Sequence, residues 1–277
     1  MIVFQRGVGG RGALALGVYE LGVSAGYVVL TCFIAASARK LLDLAAPDAS
    51  TPKLLLQEAI AAWELCAACF ELIIVADNYG VWTYALFLFV LTMVWSASWG
   101  DAVACPYVHL EHLFEGSTDI ISVIAKTWAE LSGALVVFGY VKLLWSLETS
   151  TTHKGRAYEQ CTADLQVPAV LGALVECGAT CMCRLVSKII AEAQPKYGTV
   201  VDAFVSTSLV VAAFNYSGGY FNPVLATSLK LGCRGHTVAQ HLFVYWLGSS
   251  LGALGSVYLF RRPSIRGFVK GLSGSLQ

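Results

Sequence analysis

The stretch Asn215-Tyr216-Ser217-Gly218-Gly219-Tyr220-Phe221-Asn222-Pro223-Val224 constrains this chain most, because it opens a new helix where an apolar span has just ended. Proline suits the first helical turn, since the N–H it lacks has no helical partner there, and the asparagine before it can cap. The surrounding text is greasy: 57% of the 277 residues are apolar and 13% are charged, with a mean hydropathy of +0.66. Soluble domains carry about a quarter of their residues as charges. A helix start enclosed by such text lies at membrane depth, its free N–H groups and positive dipole end facing whatever passes. The motif predicts a re-entrant half-helix.

Apolar segments near 18–38, 54–76, 82–100, 120–146, 167–191, 199–217 and 238–260 each reach roughly the 20 residues a helix needs to cross hydrocarbon. This predicts an all-α multi-pass membrane protein. Eighteen basic residues balance eighteen acidic ones, so no bulk signal or motif points to nucleic acid. Linkers around Asp48-Ala49-Ser50-Thr51-Pro52 and from His153 to Asp164 separate spans rather than folding units.

Arg6 and Arg11 precede the first apolar run, which ends in Ala36-Ser37-Ala38 in the manner of a signal-peptidase site. The run is long for a signal peptide. With the Arg39-Lys40 and Lys53 loop in the cytosol, eleven of the eighteen basic residues fall on that side, including Lys126, Arg184, Lys188, Lys196 and the tail. Residues 1–53 are therefore expected to form an uncleaved extra helix or anchor with its linker, and 261–277 a basic cytosolic tail that touches anionic lipid.

An internal repeat organises the rest. Glu58 and Glu176 each sit inside an apolar segment, and each is followed by a proline-led element: Glu58 to Cys105 is 47 residues, Glu176 to Asn222 is 46. Each half then has three spans and one half-helix, residues 54–146 (half-helix about 106–115) and 167–260 (half-helix about 223–231). Three crossings per half invert the second half relative to the first, so the two half-helices meet near the midplane with a pore between the halves.

Ser217-Gly218-Gly219-Tyr220-Phe221-Asn222-Pro223-Val224, the degenerate Ala104-Cys105-Pro106-Tyr107 and the paired glutamates resemble the aquaporin superfamily, whose signature is two Asn-Pro-Ala half-helices. The Cys-Pro-Tyr box and the Cys-rich Trp63-Glu64-Leu65-Cys66-Ala67-Ala68-Cys69 look like its unorthodox superaquaporin branch, with an insect-like first motif. Residues 54–260 fit that plan, which implies an hourglass of six transmembrane helices and two half-helices. The resemblance implies pore motifs at Cys105, Pro106, Tyr107, Asn222, Pro223 and Val224, with Glu58 and Glu176 anchoring the re-entrant loops. Buried carboxylates suit that task because irregular backbone at membrane depth needs acceptors.

Orthodox water channels carry Arg three residues after the second Asn and His twelve before it. Here those positions hold Leu225 and Val210, with Gly219 and Ala85 as the other two filter positions, which implies a wide apolar constriction. Cys105 offers a weak S–H donor where the family has Asn, and Tyr107 must narrow the lumen or, by preference, pack away from it. The function implied is passive passage of water, glycerol and hydrogen peroxide, with no catalytic residue, cofactor or metal. Alternatives are a proton-coupled transporter using Glu64, Glu130 or Asp101, and a structural membrane protein shut by Tyr107. The branch implies an endoplasmic reticulum or other intracellular membrane, and the family a homotetramer.

His109-Leu110-Glu111-His112 is expected to be a polar face of the first half-helix rather than a metal site. Glu71 and Glu192 read as carboxylates that snorkel near helix ends. Of nine cysteines, only Cys161 and Cys233 fall in loops, both on the non-cytosolic side of the derived topology, where they can bond to each other or to a second subunit. Gly248-Ser249-Ser250-Leu251-Gly252 permits close helix approach in the last span.

Overall fold

The computed structural model describes residues 10–47 and 50–276, and the side chains of 17–47 and 50–272. Arg6 and Asp48 lie outside the described residues, as does the side chain of Arg11. Helix α1 (Gly10–Ala45) is longer than its apolar run, because Arg39 stays buried in the helix and donates to Glu64 Oε2 at 2.6 Å.

Helix α2 (Thr51–Ser98) is two antiparallel limbs. Gly80 breaks it with φ 82 and ψ 169, a conformation open to almost no residue but glycine. Trp99 Nε1 donates to Glu64 Oε2 at 2.9 Å, 35 residues back along the chain. A straight helix would separate these residues by about 50 Å, so the chain doubles back at Gly80. The first limb is the axis of the bundle: 72% of the most apolar window of α2 is buried within the chain, against 22–44% in the other spans.

Short helix α3 (Pro106–Glu115) and span α4 (Ile120–Ser146) complete the first half. The second half repeats the order with α5 (Ala169–Ala193), α6 (Gly198–Ser217), short α7 (Pro223–Lys230) and α8 (Val238–Phe260), whose Leu242–Gly248 turns are π-helical. Helix α9 (Pro263–Leu276) folds back on α5 and α8, with Arg266 paired to Glu192.

The two halves pack alike. A Cβ on Gly133 would lie 2.0 Å from the carbonyl oxygen of Ala59, and one on Gly252 would lie 2.2 Å from that of Cys177. Ala59 and Cys177 each follow the anchoring glutamate, so in both halves the third span meets the first through a glycine on a backbone carbonyl. This is the role of Gly252 within the last span. Gly248 approaches Ala173 in the same manner.

Candidate solute pathway

The half-helices start from matching backbone. Cys105 and Asn222 cap them in extended conformation (φ −152 and −154, ψ 114 in both), and the residues before them, Ala104 and Phe221, take positive φ of 52 and 46. Such backbone leaves amides without helical partners, and a buried carboxylate takes them in each half. Glu58 Oε2 accepts from Val103 N and Ala104 N, both at 3.0 Å. Glu176 accepts from Tyr220 N at 3.2 Å, Phe221 N at 2.8 Å and Ser217 Oγ at 2.6 Å.

Asn222 joins the two half-helix starts. Its Oδ1 accepts from Val224 N and Leu225 N, and its Nδ2 donates to Ala104 O at 2.8 Å. That bond uses one of the two amide hydrogens and leaves the other for the lumen.

Two cavities run past this junction. The larger, about 360 Å³, is lined by Cys105, Tyr107 and Asn222 of the half-helices and by a stripe of α2, Tyr84, Leu88, Thr92, Trp95 and Trp99, at helical spacing. The smaller, about 200 Å³, opens toward Asp77, Asp164 and Gln166. Cys69, Tyr84, Gly219, Tyr220 and Leu225 belong to both walls and therefore frame the neck between them.

Of the expected filter positions, Val210, Gly219 and Leu225 line the larger cavity, whereas Ala85 lines neither. Tyr84 stands there instead, because one residue of helix turns a side chain by about 100°. Gly219, at φ 65, has room for no side chain: a Cβ would lie 2.7 Å from Val210 O. Pro106, Pro223 and Val224 are buried behind the wall. Tyr107 does not pack away from the lumen; it is buried against Cys105, Val108 and Ala253 and forms part of the wall as well.

Several charged residues lie elsewhere than the sequence suggests. His109 is buried, with Nε2 3.0 Å from Glu130 Oε1 and 3.5 Å from Glu58 Oε1, and Glu111 is fully buried. The first half-helix is thus not a solvated polar face; its histidine ties α2 and α4 together. Glu58, His109 and Glu130 form a three-member set within 4.8 Å, brought together by folding from residues far apart in sequence. Glu71 does not snorkel, because Trp145 Nε1 and His153 Nε2 hold it inside at 2.9 and 2.8 Å. Sequence reasoning also missed Arg184, which lines the larger cavity and grips Glu111 with two bonds.

The face beyond the smaller cavity is tied down covalently. Cys161 and Cys233 are disulfide-bonded, and beside them Ala163 N donates to Arg234 O at 2.7 Å. Lys230 pairs with Asp164 at 2.9 Å, and Asp164 accepts from the Tyr220 hydroxyl at the neck. In the same loop, burial holds the His236 imidazole below its usual pKa.

Two broken helices meeting tip to tip inside a bundle of apolar spans define an aquaporin-like membrane channel, and comparison with known proteins agrees. The chain is 29% identical over 205 residues to an aquaporin-11 of Milnesium tardigradum, covering 74% of each chain. It is 26% identical over 261 residues to mouse aquaporin-12, covering 91% of this chain and 90% of the relative. With the aquaporin-11 of Equus caballus it shares 28% over 208 residues, 73% of this chain and 75% of that one. The aquaglyceroporin of Plasmodium falciparum superposes with a TM-score of 0.45 at 15% identity, covering 78% of this chain and 93% of that one. No family model matches. These relatives place the resemblance in the aquaporin superfamily, on its unorthodox branch. Six helices of the chain are long and apolar enough to cross a membrane, and with these relatives they support a multi-pass membrane channel for small solutes.

Proposed function

We propose that the channel passes small neutral solutes passively, glycerol, hydrogen peroxide and water among them, through a filter that is apolar on most sides. The observation that carries this reading is the neck, where Leu225, Gly219 and Cys69 stand without a charged side chain and the polar groups are the Tyr84 and Tyr220 phenols, with Val210 continuing the apolar wall in the larger cavity. An apolar wall leaves an ion's charge without the donors that replace its hydration, while a neutral polyol keeps apolar contact along its carbon chain. Glu58 and Glu176 act as loop anchors, and Asn222 as the lumen donor opposite the weaker thiol of Cys105.

Proton coupling finds no support, because Glu64, Glu130 and Asp101 line neither cavity. We assign the protein to an intracellular membrane such as the endoplasmic reticulum, a reading that the aquaporin-11 and aquaporin-12 relatives support, and propose that it works there as a homotetramer in lipid. The disulfide-bearing face is then the lumenal one. Swelling of liposomes carrying the purified protein tests the reading: flux above empty vesicles is expected for at least one of the three solutes, and none for any rejects it. Leu225→Arg is expected to lower glycerol flux; unchanged or higher flux would mean that the filter lies elsewhere.

A further inference from the structure

In the wall of the larger cavity one side chain is out of character. Among the described residues, Arg184 is the only charged side chain lining it, in company with Tyr107, Cys183 and Ser206. It is not adrift there. Nε donates to Glu111 Oε1 at 2.9 Å and Nη2 to Glu111 Oε2 at 2.8 Å, a bidentate clamp from α5 onto the first half-helix. Lys188 adds a second cation to the same carboxylate at 3.0 Å and reaches Glu115 at 2.9 Å.

The clamp fixes the guanidinium plane and leaves the Nη1 hydrogens as donors that the carboxylate does not use. Lys188 is shared between Glu111 and Glu115, so two cations face two carboxylates, but of these four groups only the guanidinium reaches the cavity wall, and the lumen meets the positive end of the cluster. An ordinary water-filled wall has no need of such a group at membrane depth, where ionised side chains are expensive and mark solute routes.

The internal repeat shows that this is an addition and not a requirement of the fold. Arg184 stands eight residues after Glu176 and Glu111 six after Cys105; the same offsets in the other half, after Glu58 and Asn222, hold Cys66 and Ser228, both neutral. The scaffold is thus built without charge at one site and with a paired charge at its counterpart. The smaller cavity, on the disulfide-bearing side, is lined by Asp77 and Asp164. Each of these carboxylates is paired with a basic side chain, Asp77 with Arg156 and Asp164 with Lys230, so the entrance presents balanced charge and an apolar neck lies between it and Arg184.

We propose that Arg184 is the charge-selecting residue of this channel, a second filter beyond the half-helix junction, which repels cations and offers its free Nη1 hydrogens to the oxygens of neutral solutes. The inference rests on the reading of the cavity as a route for such solutes. Glu111 is the positioning residue that holds the guanidinium at the wall.

The test is Arg184→Leu, reconstituted beside the parent in liposomes, with glycerol flux read by light scattering and potassium flux by a voltage-sensitive dye under a potassium gradient. Glu111 keeps Lys188 as a partner in this variant. Potassium flux is expected to rise at least tenfold while glycerol flux falls, because the variant loses the Nη1 donors, and Arg184→Lys is expected to exclude potassium as the parent does. Should Arg184→Leu fail to fold, Arg184→Gln/Glu111→Gln removes both charges together and is read the same way. A variant that still passes glycerol and still excludes potassium overturns the proposal, and so does equal leak through Arg184→Lys. A parent without glycerol flux counts instead against the proposed function, and potassium flux in the variants still decides the role of Arg184.

Discussion

Removing the carboxylate of Glu176 should collapse the second re-entrant loop while leaving the spans in place. Its two oxygens accept from Ser217 Oγ at 2.6 Å, Phe221 N at 2.8 Å and Tyr220 N at 3.2 Å, and the residue is fully buried, so water does not stand in. A hydrogen bond to a charged acceptor contributes about 1.5–3 kcal/mol, so the two shorter bonds together supply about 3–6 kcal/mol. Against this, Glu176→Ala frees Phe221 from φ 46, where strain of roughly 1–3 kcal/mol is held. At mid-range values the hydrogen bonds win, and the net loss is about 2–3 kcal/mol. Two amides left bare at the head of α7 will turn to seek acceptors and carry Asn222 with them.

The expected result is at least a tenfold fall in glycerol and water flux in stopped-flow liposome assays at matched protein content. The melting temperature in detergent should fall by roughly 5–10 °C. Glu176→Gln keeps one acceptor oxygen but turns an N–H toward a donor, so it should fall between parent and alanine variant. Flux within twofold of the parent and an unchanged melting temperature in Glu176→Ala would refute the anchoring argument.

Three further outcomes are expected. Tyr84→Ala opens the neck from the α2 side and should raise glycerol flux severalfold and admit larger polyols; an unchanged size limit would remove Tyr84 from the constriction. Gly133→Ala puts a methyl group 2.0 Å from Ala59 O and should cost about 1–3 kcal/mol or prevent expression, whereas Gly139→Ala, with open space around it, should be silent in the same thermal melt. Cys161→Ser/Cys233→Ser opens a closure between residues 72 apart in sequence, which by loop entropy lowers stability by about 4 kcal/mol. Its melting temperature should match that of the reduced parent, and a match to the oxidised parent instead would show that the bond contributes nothing.

The plan of the bundle was readable because it rests on local signals. Proline after a capping residue marks each half-helix, and two in-span glutamates at nearly equal distance from those prolines mark the repeat. What the text hid is where side chains point. The second limb of α2, after Gly80, carries no charged residue on any face, so nothing distinguishes Tyr84 from Ala85, and the pore-facing stripe emerges only once the limb has neighbours. Arg184 and Glu111 lie 73 residues apart and read separately as a loop-side cation and a polar helix face; folding makes them one buried pair. Glu71 looks like a carboxylate reaching for water until Trp145 and His153, from distant segments, supply its donors. The sequence suggests that Tyr107 packs away from the lumen, since a phenol needs only one partner, yet the half-helix it belongs to forms the wall itself.

Arg39 lends its guanidinium to Glu64, whose same oxygen holds the indole of Trp99, and that indole is part of the lumen surface. The leading helix is therefore coupled to the conduit by a chain of two hydrogen bonds rather than merely tethering it to the bilayer. Clipping α1 off, or fusing a bulky reporter that displaces it, would strand an anion in the bundle and unlatch a paving stone of the channel.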